Sequence, residues 1–249
     1  HGVMNTDNMA LSGETIDYGP CAFMDSFNKT QVFSSIDHSG RYSYGNQPQI
    51  VQWNLARLAE TILPLIDKKQ ESAVEMAKEV IELYSERFKE FWLSGMRQKL
   101  GLFNSEPEDE NLIESLLNIM HENEADFTLT FRWLCDAGVD KKNNKNILTL
   151  FKDAGAYDNW SESWRSRLSR ESASPEERVK LMRKVNPAFI PRNHRVEQAL
   201  NAAVENLDFG PFERLVDVLS SPYEEIKGKD EFMLPPRPGE HVLQTFCGT

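Results

Sequence analysis

The chain has 249 residues, of which 28 are Lys or Arg and 39 are Asp or Glu, giving a net charge of -11, and 40% of it is hydrophobic. That composition supports a sizeable core and excludes disorder throughout, and no apolar run approaches the length of a membrane span. The acidic balance also excludes a protein built to grip a phosphate backbone, so neither nucleic acid nor a membrane is an expected partner.

The chain opens on His1, with no initiator Met, charged n-region or Arg-rich presequence ahead of the first motif. It therefore reads as a piece of a longer protein, with any targeting signal in the missing part. Residues 1–49 are rich in Gly, Asn, Asp and Ser, and short apolar runs such as Thr15-Ile16 and Cys21-Ala22-Phe23-Met24 suggest loops with brief strands. After Pro48 the period changes to that of a helix: Val51, Leu55, Leu58, Ile62 and Leu65 share one face. Val74, Ala77, Ile81, Tyr84, Phe88, Phe91 and Met96 continue the pattern after a short polar connection at Asp67–Gln70, which predicts an antiparallel helical hairpin.

Further helices are predicted around Leu112, Leu116 and Met120, around Phe127, Phe131 and Leu134, and around Ile147, Leu148 and Phe151 ahead of Gly155. Trp160, Trp164 and Leu168 step by four, an apolar stripe expected in a core. Ser174-Pro175-Glu176-Glu177 is a capping box that opens a helix expected to stop at Asn186-Pro187. Val196, Leu200, Ala203 and Leu207 mark another helix, Phe212, Leu215 and Leu219 the last, and Leu234-Pro235-Pro236-Arg237-Pro238-Gly239 ends regular structure. The expected fold is mostly α, with no internal repeat and no Gly/Ser linker to divide the chain. Three segments follow: a loop segment over 1–49, a helical body over 50–220, and a tail over 221–249 that ends near Cys247.

The chemistry concentrates in the first segment. Kinase-fold enzymes carry His-x-Asp, an Asn five residues on, and then Asp-Phe-Gly, because the Asn and the second Asp hold metal ions against nucleotide phosphates. Here His1, Asn8 and Asp17-Tyr18-Gly19 keep that order. An amide oxygen and a carboxylate form a partial shell for a hard divalent cation, so Asn8 and Asp17 are the candidate metal ligands, with Asp17 also facing the nucleotide. Val3 occupies the position of the kinase base and cannot accept a proton. The acid that remains is Asp7, immediately before the metal Asn, a candidate to orient or deprotonate a hydroxyl. Asp, Asn and Gly also make Asx turns and helix caps, which is the competing reading of the same spacing.

The surrounding words are more specific. His1-Gly2-Val3-Met4-Asn5-Thr6-Asp7-Asn8-Met9, Asp17-Tyr18-Gly19-Pro20, Met24-Asp25-Ser26-Phe27, Arg41-Tyr42-Ser43-Tyr44-Gly45-Asn46-Gln47-Pro48, Trp53-Asn54-Leu55-Ala56-Arg57-Leu58 and Asn186-Pro187-Ala188-Phe189-Ile190-Pro191-Arg192-Asn193-His194 resemble the selenoprotein O family. The resemblance implies a pseudokinase-like protein adenylyltransferase that transfers AMP from ATP to Ser, Thr or Tyr hydroxyls of proteins and binds its nucleotide flipped relative to kinases. It implies Asp7 as proton acceptor, Asn8 and Asp17 as ligands of Mg2+ or Mn2+, and a protein-kinase-like C-lobe with an added helical region. The family's Gly-rich loop and its basic phosphate-binding residues have no counterpart here, so the N-lobe is expected to be absent from this chain and the 249 residues to be inactive alone. A cytoplasmic protein is expected if the source is bacterial, a mitochondrial one if it is eukaryotic. The alternative function is a non-catalytic pseudokinase scaffold, and a conventional phosphotransferase ranks third because Val3 lacks the base.

The resemblance also makes Cys247 a redox thiol; the competing reading is a frayed or buried one. Some relatives pair this Cys with another in the activation loop, where the matching position here is Phe33, and Cys21 is the nearest alternative. Cys135, beside Leu134 on an apolar face, is expected in the core, and the three cysteines are too far apart for a disulfide scaffold or a zinc site. The five histidines are too scattered for a metal cluster. Arg165, Arg167, Arg170 and Arg178 read as a solvated helix face rather than a phosphate site. Arg192-Asn193-His194 is read either as the cap of the helix it opens or as a partner contact.

Overall fold

The apolar spacing after Pro48 produces α1 over Gln47–Ile66 and α2 over Gln70–Lys99. Pro48 stands in the first turn of α1, where no intrahelical partner is lost by its missing N–H. Asp67 stops the helix: its backbone is extended, and its side chain accepts from the backbone N–H of Lys69 at 2.7 Å and from the Ser72 hydroxyl at 3.3 Å. Gln52 Nε2 then donates to the Ile81 carbonyl at 3.2 Å, which fixes the two helices as an antiparallel hairpin.

The computed structural model describes residues 2–15, 21–140 and 144–245. Among these, seven more helices follow: α3 (Asp109–Asn123), α4 (Phe127–Ala137), α5 (Lys145–Leu148), α6 (Ala154–Leu168), α7 (Pro175–Val185), α8 (Asn193–Asn206) and α9 (Gly210–Leu219). The starts of several are written in their caps. Asp126 accepts from Leu129 N at 2.7 Å, Asp153 from Gly155 N at 2.9 Å, and Ser174 from Glu177 N at 3.2 Å. The helix that the capping box opens does stop before Asn186-Pro187.

Several expectations are corrected. The brief strand expected at Cys21–Met24 does not form: the described residues contain no strand beyond an isolated bridge between Ser26 and Asp126, and Ile16 of the Thr15-Ile16 run lies outside them. Apolar runs of two to four residues are too short to pair without a flanking sheet, and Cys21–Met24 stays irregular. The helix expected through Ile147, Leu148 and Phe151 is only the short α5, and Gly155, read as its end, lies inside α6 because Asp153 caps there. Leu200 and Leu207 are exposed rather than core-facing, and Leu207 ends α8 in a left-handed conformation.

The described residues fall into two compact units, one made of 2–15, 21–22, 29–92 and 244–245, the other of 23–28, 93–140 and 144–243. Each unit draws on more than one of the segments read from composition. In the first, α1 and α2 carry the loop segment. In the second, α3 packs on α6, α4 against α5 and α7, and α8 on α9. Trp160 and Trp164 stack 5.5 Å apart between α3 and the end of α2, each donating its indole N–H to a backbone carbonyl, Leu112 and Leu100 respectively, at 2.9 Å. Leu129, Phe189, Val218 and Phe232 form a second apolar cluster in this unit.

The arginines read as a solvated face are mostly internal. Arg167 is 2% exposed and bonds Asp109, Glu171 and the Asn104 carbonyl. Arg165 donates to the Ala137 carbonyl and Asn144, and Arg178 to the Gly138 carbonyl; only Arg170 is the exposed cation expected, paired with Glu106 and Glu108. Acids on the α3 side of the unit supply the counter-charge that local sequence could not reveal.

Candidate functional site

The loop that carries the predicted site residues Asp7 and Asn8 lies in the first unit. Thr6, Asp7 and Asn8 form a single turn of 3-10 helix, closed by the Asn8 N–H donating to the Asn5 carbonyl at 3.0 Å. The turn lifts Asp7 into solvent and leaves Asn8 half-buried. Asn8 Nδ2 donates to the Val3 carbonyl at 3.0 Å, so the nitrogen end of its amide is committed to the loop and the oxygen is the end a cation would meet. That orientation suits a hard-cation ligand. Val3 itself is buried, so the position that lacks a carboxylate serves as an apolar floor.

Two further hydrogen bonds hold the loop. Tyr42 O–H donates to Asn5 Oδ1, and Asn54 Nδ2, on α1, donates to the Met4 carbonyl at 2.8 Å. Gly2 has a φ of +70°, and a Cβ there would meet the Phe33 ring at 3.0 Å, so the entry to the loop needs glycine on both counts. Tyr42 and Asn54 went unassigned in the sequence. The available signal was Asn54 itself, a polar residue on the otherwise apolar face of α1.

Of the predicted site residues, the structure brings Asp7 and Asn8 onto one turn. Asp17 and Cys247 lie outside the described residues, as does His1. Cys21 carries a free, half-buried thiol. The tail reaches the segment carrying Phe33: Ser35 N donates to the Thr245 carbonyl at 2.7 Å, Thr245 N to the Ser35 hydroxyl at 3.1 Å, and the Thr245 hydroxyl to the Phe33 carbonyl at 2.9 Å. Cys135 is fully buried, and burial pushes its thiol up to about 11, which makes it inert at neutral pH. Among the described residues no three of His, Cys, Asp and Glu gather as a metal site, and no helix is long and apolar enough to cross a membrane.

Arg192-Asn193-His194 serves the second unit. Arg192 is 1% exposed and donates to Asp25 and Asp126 at 2.6 Å each and to the Met233 carbonyl at 2.8 Å. Asn193 accepts from Phe23 N and donates to its carbonyl, at 2.9 and 2.8 Å. Arg192 and Asn193 thus form an internal clamp on the segment that carries Phe23 and Asp25.

The sequence profile of the family described as protein adenylyltransferase SelO matches residues 1–220. Proteins named protein nucleotidyltransferase YdiU from Rhizobium etli, Rhizobium meliloti and Bradyrhizobium diazoefficiens are 57%, 55% and 53% identical over all 249 residues, which are 50%, 51% and 50% of those proteins. The chain thus spans about half the length of the curated relatives it matches. With the profile running from the Asp7–Asn8 loop through α9, and more than half of all positions identical in each of these relatives, the chain belongs to the SelO family.

Proposed function

We propose that this chain is the part of a protein adenylyltransferase that carries its proton acceptor and metal ligands, on a helical scaffold of the kinase C-lobe type. The whole enzyme, on this reading, transfers AMP from ATP to Ser, Thr or Tyr hydroxyls of proteins. The single observation that carries the reading is the Thr6–Asn8 turn, which presents an exposed carboxylate beside an amide anchored by the Val3 carbonyl. An apolar, buried Val3 supports a displaced base over the kinase arrangement.

In this reaction the substrate hydroxyl oxygen bonds to the α-phosphorus of ATP. The bond from that phosphorus to the oxygen bridging to the β-phosphate breaks, and pyrophosphate leaves with the electron pair. Asp7 takes the hydroxyl proton, a contribution of about 10²–10⁴ to the rate. Asn8 and Asp17 would hold Mg2+ or Mn2+, which when bound neutralises the charge of the phosphates. The YdiU relatives are named as protein nucleotidyltransferases, in keeping with transfer to a protein.

The test uses a family protein of full length carrying this chain, incubated with ATP labelled at either the α or the γ phosphate. Retention of the α label on protein is expected. Retention of γ instead would establish phosphorylation, and retention of neither would establish a non-catalytic scaffold. Asp17→Ala is expected to abolish transfer, and Asn8→Ala to weaken it less, since the amide is neutral; full transfer by Asp17→Ala at ordinary Mg2+ would remove the metal assignment.

A further inference from the structure

Among the described residues of the first unit, Ser34, Ser43 and Asn54 are buried and polar, and of these Asn54 lies on a helix, whose formation does not require it. Asn54 lies 7% exposed on α1, and its Nδ2 donates at once to the Ile50 carbonyl, one turn back at 3.0 Å, and to the Met4 carbonyl at 2.8 Å. Both neighbours of the amide nitrogen are acceptors, so the orientation of the amide is decided: a flipped Asn54 would set oxygen against two carbonyl oxygens. Its own Oδ1 is buried without a donor. A leucine would suit that site on α1 better, because an unpaired buried acceptor destabilises the fold. What the amide supplies in exchange is a link from α1 to the loop, three residues before Asp7 and four before Asn8.

We propose that Asn54 is a positioning residue for the reacting turn, pinning the Met4 carbonyl to α1 and thereby setting where Asp7 and Asn8 stand. The inference rests on the roles given to Asp7 and Asn8 above. Helix α1 is a rigid support of several turns, whereas Thr6–Asn8 is a single 3-10 turn closed by the Asn8 N–H to the Asn5 carbonyl. Misplacement by an ångström at such a turn is enough to cost about 100-fold in rate.

The test compares Asn54→Asp with Gln52→Leu in the full-length protein. The first is isosteric and sets a carboxylate against two carbonyls; the second removes a hydrogen bond of the same helix that leads to α2, not to the loop. For Asn54→Asp we expect kcat to fall about tenfold to 100-fold and the Mg2+ concentration for half-maximal rate to rise about tenfold, with KM for protein substrate little changed. Lowering the pH from 8 to 5.5 is expected to restore part of the activity relative to wild type, because a buried carboxyl that takes up a proton becomes a donor again. Gln52→Leu is expected to lower Tm without moving the Mg2+ requirement. A second readout does not depend on turnover: the Asn8 amide, bonded to the Asn5 carbonyl, should exchange its hydrogen faster in Asn54→Asp while α2 is unchanged. If wild type transfers no α label, the proposed function fails and amide exchange alone decides the tether. Unchanged exchange over residues 3–9 overturns the inference, as does an unchanged Mg2+ requirement in an enzyme that does transfer AMP.

Discussion

Asp7 is the residue whose chemistry and surroundings separate most cleanly. It is exposed, and its side chain enters no ion pair with Lys or Arg among the described residues, so replacing it should change reaction and not folding. Asp7→Asn in the full-length protein is expected to lower α-label transfer by about 10²–10⁴ while Tm stays within about a degree. A drop in Tm that tracks the loss of transfer would make Asp7 a structural residue instead. Asp7 and Asn8 were legible as a pair because they are neighbours in sequence and share one turn. Asn54 was not, since its partner Met4 lies fifty residues away and no helical pattern names a partner.

At the scale of elements, buried charge decides more than surface charge. Asp109, at the start of α3, is 0% exposed; burial works against its charge, but bonds from Arg167, Glu106 N and Arg97 outweigh it and hold the carboxyl below its ordinary range. Removing Arg167 leaves Asp109 and Glu171 short of a partner, so Arg167→Ala is expected to lower the unfolding free energy by about 3–5 kcal/mol in urea titration. Arg170→Ala, three residues on and exposed, should change it little. Helix α8 supplies a pH test. His194 is buried, and burial, reinforced by Arg195, depresses its pKa below the ordinary 6.5, so the folded chain resists its protonation. Below pH 6.5 the unfolded chain takes up a proton that the folded chain resists, and stability falls as pH drops, by at most about 1.4 kcal/mol per pH unit for this group. His194→Gln is expected to flatten stability between pH 7 and 5; an unchanged slope would show that His194 titrates normally.

For the whole molecule, charge and extent set the expectation. The net charge is -11, and no Lys or Arg precedes Lys29, so the chain local to Asp7 supplies no cation to attract a triphosphate. The 249 residues by themselves are expected to show no turnover and only weak, metal-dependent ATP binding. Calorimetric titration giving micromolar affinity without a divalent cation would show that they hold a complete nucleotide site. Sequence by itself determined the helical class, the positions of most helices, the capping box at Ser174 and the loop that carries Asp7 and Asn8, because period, caps and short motifs are properties of neighbouring residues. Tertiary structure alone decided that Arg192 is a clamp on Asp25 and Asp126, that Arg167 is internal, that Thr245 meets Phe33 and Ser35, and that Leu200 faces out. Amphipathic spacing states that a face is apolar but not which surface covers it, and the charge that satisfies a buried arginine comes from chain that lies close only after folding.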